Sequence, residues 1–137
     1  MERQLHGSVT FEVPPAVAFD YLVDPHHRAE WQSSLRRVSE VDGEPRVGQT
    51  WVDETKPGIK PRMRTTELVR PARWSESGTW RFVRAELTLD FAEAPGGCTV
   101  GYRFRIRGLG PLGALTSRIA APAVRADLRR AASRLTA

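Results

Sequence analysis

The chain has 137 residues, 40% of them hydrophobic and 27% charged, and carries a net charge of +5 from 21 Lys and Arg against 16 Asp and Glu. That length fits one domain, read here as residues 1–137 with one substantial core, and the composition argues against general disorder. No apolar run reaches the roughly 18 residues of a membrane span, and the opening MERQLHGSVTFEV lacks the features of a secretory signal, so cytoplasm is the expected location and integral membrane association is not expected.

The first segment, LHGSVTFEVP, alternates Leu5, Val9, Phe11 and Val13 as a strand that ends at a proline pair. Pro15 suits the first turn of a helix, where its missing N–H would be unpaired anyway. That helix sets Val17 and Tyr21, with Phe19 and Leu22, towards one side. Asp24-Pro25 ends it, because the residue before proline is pushed away from helical angles. Asp24 then serves as N-cap of a second short helix from His26 to about Glu30, ending near Trp31.

A run of strand signals comes next. SLRRVSEV stops at the turn dipeptide Asp42-Gly43, VGQTWVDET is centred on Trp51, and Lys56-Pro57-Gly58 separates it from RMRTTELV. Arg70-Pro71 turns into ARWSES and Gly78 into TWRFVRAELTLDFAEA. In the latter, Val83, Ala85, Leu87, Leu89 and Phe91 share one face, while Arg84, Glu86, Thr88 and Asp90 share the other. Pro95-Gly96-Gly97 leads into CTVGYRFRIRG, where Val100, Tyr102, Phe104 and Ile106 oppose Arg103, Arg105 and Arg107. A clean period of two predicts an antiparallel sheet with one covered and one wet face. From about Leu112 to Arg134 the period becomes helical through Leu112, Leu115, Ile119, Val124, Leu128 and Ala131, with a bend or change of phase expected at Pro122. Such a helix spans roughly 35 Å, enough to cross a small sheet. Arg118, Arg125, Arg129, Arg130 and Arg134 suit the negative end of its dipole.

The expected fold class is therefore α+β: a curved antiparallel sheet of about seven strands, two short helices after the first strand, and a long C-terminal helix over the concave face. A curled sheet and a straight helix diverge at one end, which makes a natural apolar pocket. Taken together, VTFEVPPAVAFDYLVDPHHRAEW, VSEVDGEPRVGQTW, TELVRPARW and FAEAPGGCTVGYRFRIRGLGPLGAL resemble the helix-grip fold of the START-like (SRPBCC) superfamily. This is the group of polyketide cyclases and dehydrases, lipid-transfer domains and related small ligand-binding proteins. The resemblance covers nearly the whole chain and implies a ligand pocket; it carries over no catalytic residue, and the catalytic residues stay unassigned.

Ligand contact is expected from Trp51, Trp80 and Tyr102, from Met63, Arg64 and Phe104 on the strands, and from Leu115 and Ile119 on the long helix. Trp31 is read as closing one end of the sheet. An arginine at 62 or 64 would anchor a carboxylate or enolate oxygen if it lined the pocket, and Asp53 and Glu54 are acid–base candidates whose mutual placement the sequence leaves open. His26 and His27 are neighbours that point about 100° apart in a helix, so they read as capping or solvent-facing rather than as metal ligands. Cys98 is the one cysteine and has no partner for an internal disulfide. No phosphate-binding glycine loop or nucleophile elbow is present, and no cofactor or metal is expected.

Two functions stand after this reading. The first is binding of a small hydrophobic or aromatic metabolite between sheet and helix. The second is a cyclase/aromatase-like enzyme that positions a polyketide-like chain for intramolecular aldol cyclisation and dehydration. The stripe Arg103, Arg105, Arg107 invites nucleic acid but has no base-reading motif beside it, so no nucleic-acid partner is expected. A homodimer across a sheet edge stays open.

Overall fold

The computed structural model describes residues 5–56, 58–108 and 112–136, with side chains from 122 onward in the last stretch. Strand β1 (Leu5–Phe11) leads to helix α1 (Pro15–Val23), a 3-10 turn (Pro25–His27) and helix α2 (Arg28–Trp31). Then come β2 (Leu35–Ser39), β3 (Thr50–Thr55), β4 (Arg62–Val69), β5 (Arg73–Trp80), β6 (Val83–Ala94) and β7 (Gly97–Arg107). Helix α3 (Leu112–Arg134) ends the chain and runs on through Pro122 as one element.

All seven strands join one antiparallel sheet in the order β1-β7-β6-β5-β4-β3-β2. After β1 the chain therefore crosses to the far edge by way of α1 and α2, and returns strand by strand. The long hairpin β6–β7 turns at Pro95-Gly96, where proline presets one angle and Gly96 takes φ +79°, a left-handed value that glycine adopts without steric cost. Asp24 accepts from the backbone N–H of His26 at 3.0 Å, as an N-cap should. Beyond this cap, however, the chain forms a 3-10 turn and a separate four-residue helix rather than one helix from His26.

The period of two decides what is buried. Val9 and Phe11, Trp74, Leu87, Leu89 and Phe91, and Cys98, Val100 and Tyr102 form an inner face. Ala18, Phe19, Leu22 and Val23 of α1 and Leu128 and Ala131 of α3 cover it. The Phe19 and Phe91 rings meet edge-on at 5.1 Å.

The end of α3 is tied to α2 by polar contacts. Asp127 accepts from the N–H and hydroxyl of Ser33 at 3.1 and 3.0 Å. Arg130 donates to the Trp31 carbonyl at 3.2 Å and Arg134 to the Glu30 carbonyl at 3.0 Å. These arginines thus satisfy carbonyls at the C-terminal end of α2, which an α-helix cannot bond internally.

Candidate functional site

On the inner face, β3 and β5 each contribute one carboxylate among aromatic neighbours. Asp53 lies two residues beyond Trp51, and Glu76 two beyond Trp74, so each acid shares its tryptophan's side of the sheet. Arg28, at the start of α2, is inserted between them. All three are buried, at 2% exposure for Arg28 and 6% for each acid, a level at which unpaired charge is not sustained.

The geometry is that of a shared guanidinium. Arg28 donates Nε and Nη2 to the two oxygens of Asp53 at 3.2 and 3.0 Å, a bidentate pair. Nη2 also donates to Glu76 Oε1 at 3.3 Å. Nη1 lies 2.9 Å from Glu76 Oε2, an ion-pair distance without hydrogen-bond alignment, so both atoms lack a directed partner. Trp51 Nε1 donates to Asp53 Oδ1 at 3.0 Å, and the guanidinium stands 5.2 Å from the Trp51 ring and 5.9 Å from that of Trp31. Indole faces here complement the cation as the carboxylates do.

One cation faces two anions in a dry place, and the imbalance falls on Glu76. Burial pushes its carboxyl above the usual range; Arg28 pulls the other way, and Asp53 adds to the rise. For Arg28, burial opposes the charge, but the two carboxylates outweigh it and the guanidinium holds its proton more tightly than usual. Further polar groups on this face are buried without a partner: Thr65 Oγ1, which sits opposite Glu76 in the β4–β5 register, and the indole nitrogens of Trp31 and Trp74. Such groups are sparse in folded proteins and each carries a desolvation cost.

The residues expected to touch ligand fall into distinct places. Trp51 is part of the polar cluster itself. Met63 pairs with it across β3–β4 and faces the same way, its sulfur lying over Gly78. Adjacent strand residues cannot share a face, so Arg64 projects from the outer side and is exposed, away from Met63. Trp80 ends β5 on the inner face, half-buried, with the Arg81 guanidinium 4.7 Å from its ring. Tyr102 is buried, and its ring fills the space a side chain at Gly7 would need. Phe104 is half-buried next to Leu87. The side chains of Leu115 and Ile119 lie outside the described residues.

Other readings resolve simply. His26 is exposed beside Asp24 at 2.9 Å, and His27 stacks on Tyr21 with ring centroids 4.8 Å apart. Arg84, Arg105 and Arg107 gather on Glu86, and Arg73 and Arg103 on Asp90, which makes the strand arginines partners of nearby acids. Arg28 and Glu76 were not anticipated. The signal for Glu76 was present in WSESGTW, where a lone carboxylate shares its face with two tryptophans. Arg28 gave none, since nothing local distinguishes an inward arginine on a one-turn helix.

This architecture, a seven-stranded antiparallel sheet with two short helices after its first strand and a long helix laid over it, is the helix-grip fold of START-like proteins. The family described as polyketide cyclase / dehydrase and lipid transport matches residues 2–137, and the chain belongs to it. Among solved structures it is similar to protein MLL2253 from Mesorhizobium loti, with 17% identity, TM-score 0.77 and 96% and 95% of the two chains covered. It is similar to Ara h 8.0201, with 12% identity, TM-score 0.79 and 98% of each chain covered. It also resembles the di-domain ARO/CYC BexL of the BE-7585A biosynthetic pathway, with 18% identity and TM-score 0.77; 99% of this chain matches 50% of that one. At these identities the likeness is one of fold. No curated protein matches the sequence. Among the described residues no helix is long and apolar enough to cross a membrane.

Proposed function

We propose that this chain is a cyclase/dehydrase-type enzyme that holds a small polyketone-like substrate against the inner face of the sheet and promotes intramolecular aldol closure. One observation carries this reading: Arg28, Asp53 and Glu76, from three separate elements, converge in a mostly apolar and aromatic interior. A passive apolar carrier has no use for a buried carboxyl of raised proton affinity beside a fixed cation. General base work has use for both, because a base is most effective when its pKa approaches the working pH.

In the reaction, the Glu76 carboxylate takes a proton from the carbon between two carbonyls. Arg28 stabilises the enolate oxygen that results. The enolate carbon bonds to a distant carbonyl carbon, and protonated Glu76 returns its proton to the new alkoxide. Loss of a second α-proton and of hydroxide, together one water, leaves the unsaturated ring. Asp53 keeps Arg28 oriented, and Trp51, Met63, Trp80, Tyr102 and Phe104 supply the apolar wall that folds the chain into a reactive pose.

The test is incubation with a linear poly-β-carbonyl thioester, followed by mass spectrometry for products lighter by one water per ring. Glu76→Gln should lower product formation by about 100-fold while circular dichroism stays unchanged. Wild-type rates in both Glu76→Gln and Arg28→Lys would overturn the assignment.

The second reading is a carrier of a hydrophobic or aromatic molecule, favoured by the aromatic and aliphatic majority of the same face. Native mass spectrometry showing a retained, chemically unaltered ligand, together with no turnover of any poly-β-carbonyl probe, would select it.

A further inference from the structure

The outer face of the sheet carries arginines in two different situations. Arg73, Arg84, Arg103, Arg105 and Arg107 are shared between Glu86 and Asp90. Arg62 and Arg64, both exposed on β4, have no ion-pair partner among the described residues. Two like charges one pleat apart repel, and no ion pair among the described residues holds either of them.

They also border a hollow of about 280 Å³. The register explains its chemistry. Thr50, Arg64 and Ser77 form one row across β3, β4 and β5, and Val52, Arg62 and Thr79 form the next. Strands lie about 4.8 Å apart and same-face residues about 6.6 Å apart. Two guanidinium forks and three hydroxyls therefore surround a space that a single tetrahedral oxyanion can bridge. Val52 is 6% exposed and gives the hollow an apolar floor. Glu40 lines it from the end of β2 and offsets one of the two cations.

We propose that this hollow is a binding site for a phosphate group carried on a small neutral or apolar body, distinct from the Arg28–Glu76 cluster on the opposite face. Guanidinium pairs grip phosphate bidentately, hydroxyl groups complete its acceptor set, and the space exceeds what a bare oxyanion fills. The residual charge of one cation over Glu40 suits a monoester held reversibly.

The experiment is a titration of isotope-labelled full-length protein with inorganic phosphate at constant ionic strength, with chloride as the control, followed by amide chemical shifts. Saturable shifts confined to Thr50, Arg62, Arg64, Ser77 and Thr79 are expected. Arg62→Gln/Arg64→Gln should weaken the affinity by more than about tenfold, and Glu40→Gln should strengthen it. Two further arms, glycerol phosphate and phosphatidylcholine vesicles containing phosphatidic acid, separate the sources. Tighter binding of the soluble ester identifies a metabolite, and co-sedimentation lost in the double variant identifies a lipid headgroup; either supports phosphate recognition. Unsaturable shifts spread over all exposed arginines, or an unchanged titration in the double variant, would overturn it.

Discussion

Two buried carboxylates this close are tolerable only while the guanidinium between them is present. Removing Arg28 as Arg28→Met leaves Asp53 and Glu76 facing each other with no cation, a change expected to cost about 3–5 kcal/mol, to be read from urea unfolding. Glu76 makes the opposite kind of prediction. Its folded-state pKa is raised above the ordinary 4.5, so above that value the folded protein holds a proton that the unfolded chain releases. The stability it contributes is full below the unfolded value and is lost as pH rises through the folded one. Glu76→Gln removes this loss, so the variant's stability relative to the native protein should climb as pH is raised from 4.5. Urea midpoints over a pH series check it; a flat difference would show that folding leaves the proton affinity of Glu76 unchanged. At this scale the sequence was only partly readable. Asp53 was visible as an acid beside Trp51, but its partner lies 25 residues away and is fixed by tertiary packing. Alternation said only that Met63 and Arg64 face opposite ways; the pairing of Met63 with Trp51 is what turns Met63 inward and Arg64 outward.

Among elements, the least self-sufficient is α2. Four residues close barely one turn and cannot sustain a helix unaided. It is held by the C-terminal part of α3, through Asp127 to Ser33 and through Arg130 and Arg134 to the last carbonyls. Asp127→Ala removes both hydrogen bonds from Ser33 and a longer one from Arg130, for an expected loss of about 2 kcal/mol. Hydrogen exchange should show the loss localised to residues 28–35; a uniform effect over the sheet would mean that Asp127 supports the core instead. Strands, the long helix and the turn residues were legible because local periodicity and proline–glycine chemistry determine them. The splitting of the segment after Asp24 into a 3-10 turn and a short helix was not, because docking against β3, β5 and α3 decides it.

For the molecule as a whole, the sheet separates two electrostatic worlds. Inside, three charges are locked in a dry cluster. Outside, Glu86 gathers three arginines in contact with water. Exposed pairs contribute little, so Glu86→Gln should cost only about 1 kcal/mol, and less in about 1 M salt, where charges are screened within roughly 3 Å. Thermal unfolding at low and high salt distinguishes this from a packing effect, which salt would leave in place. Fold class was open to a reading of the sequence because about seven strand-like segments set off by turns, two of them cleanly alternating, and one long helical segment admit few arrangements. The chemistry was not, since it depends on which side chains from distant segments end up touching.

The cation rides on a short helix while its two anions belong to the sheet, so that a guest lodging between them alters how many hydrogen ions the protein carries. A neutral guest that displaces Arg28 yet keeps the interior dry deprives Glu76 of the charge that lowered its basicity, and an ion should be drawn from the buffer. Calorimetry in buffers of unlike ionisation heat would register that uptake even where no product forms.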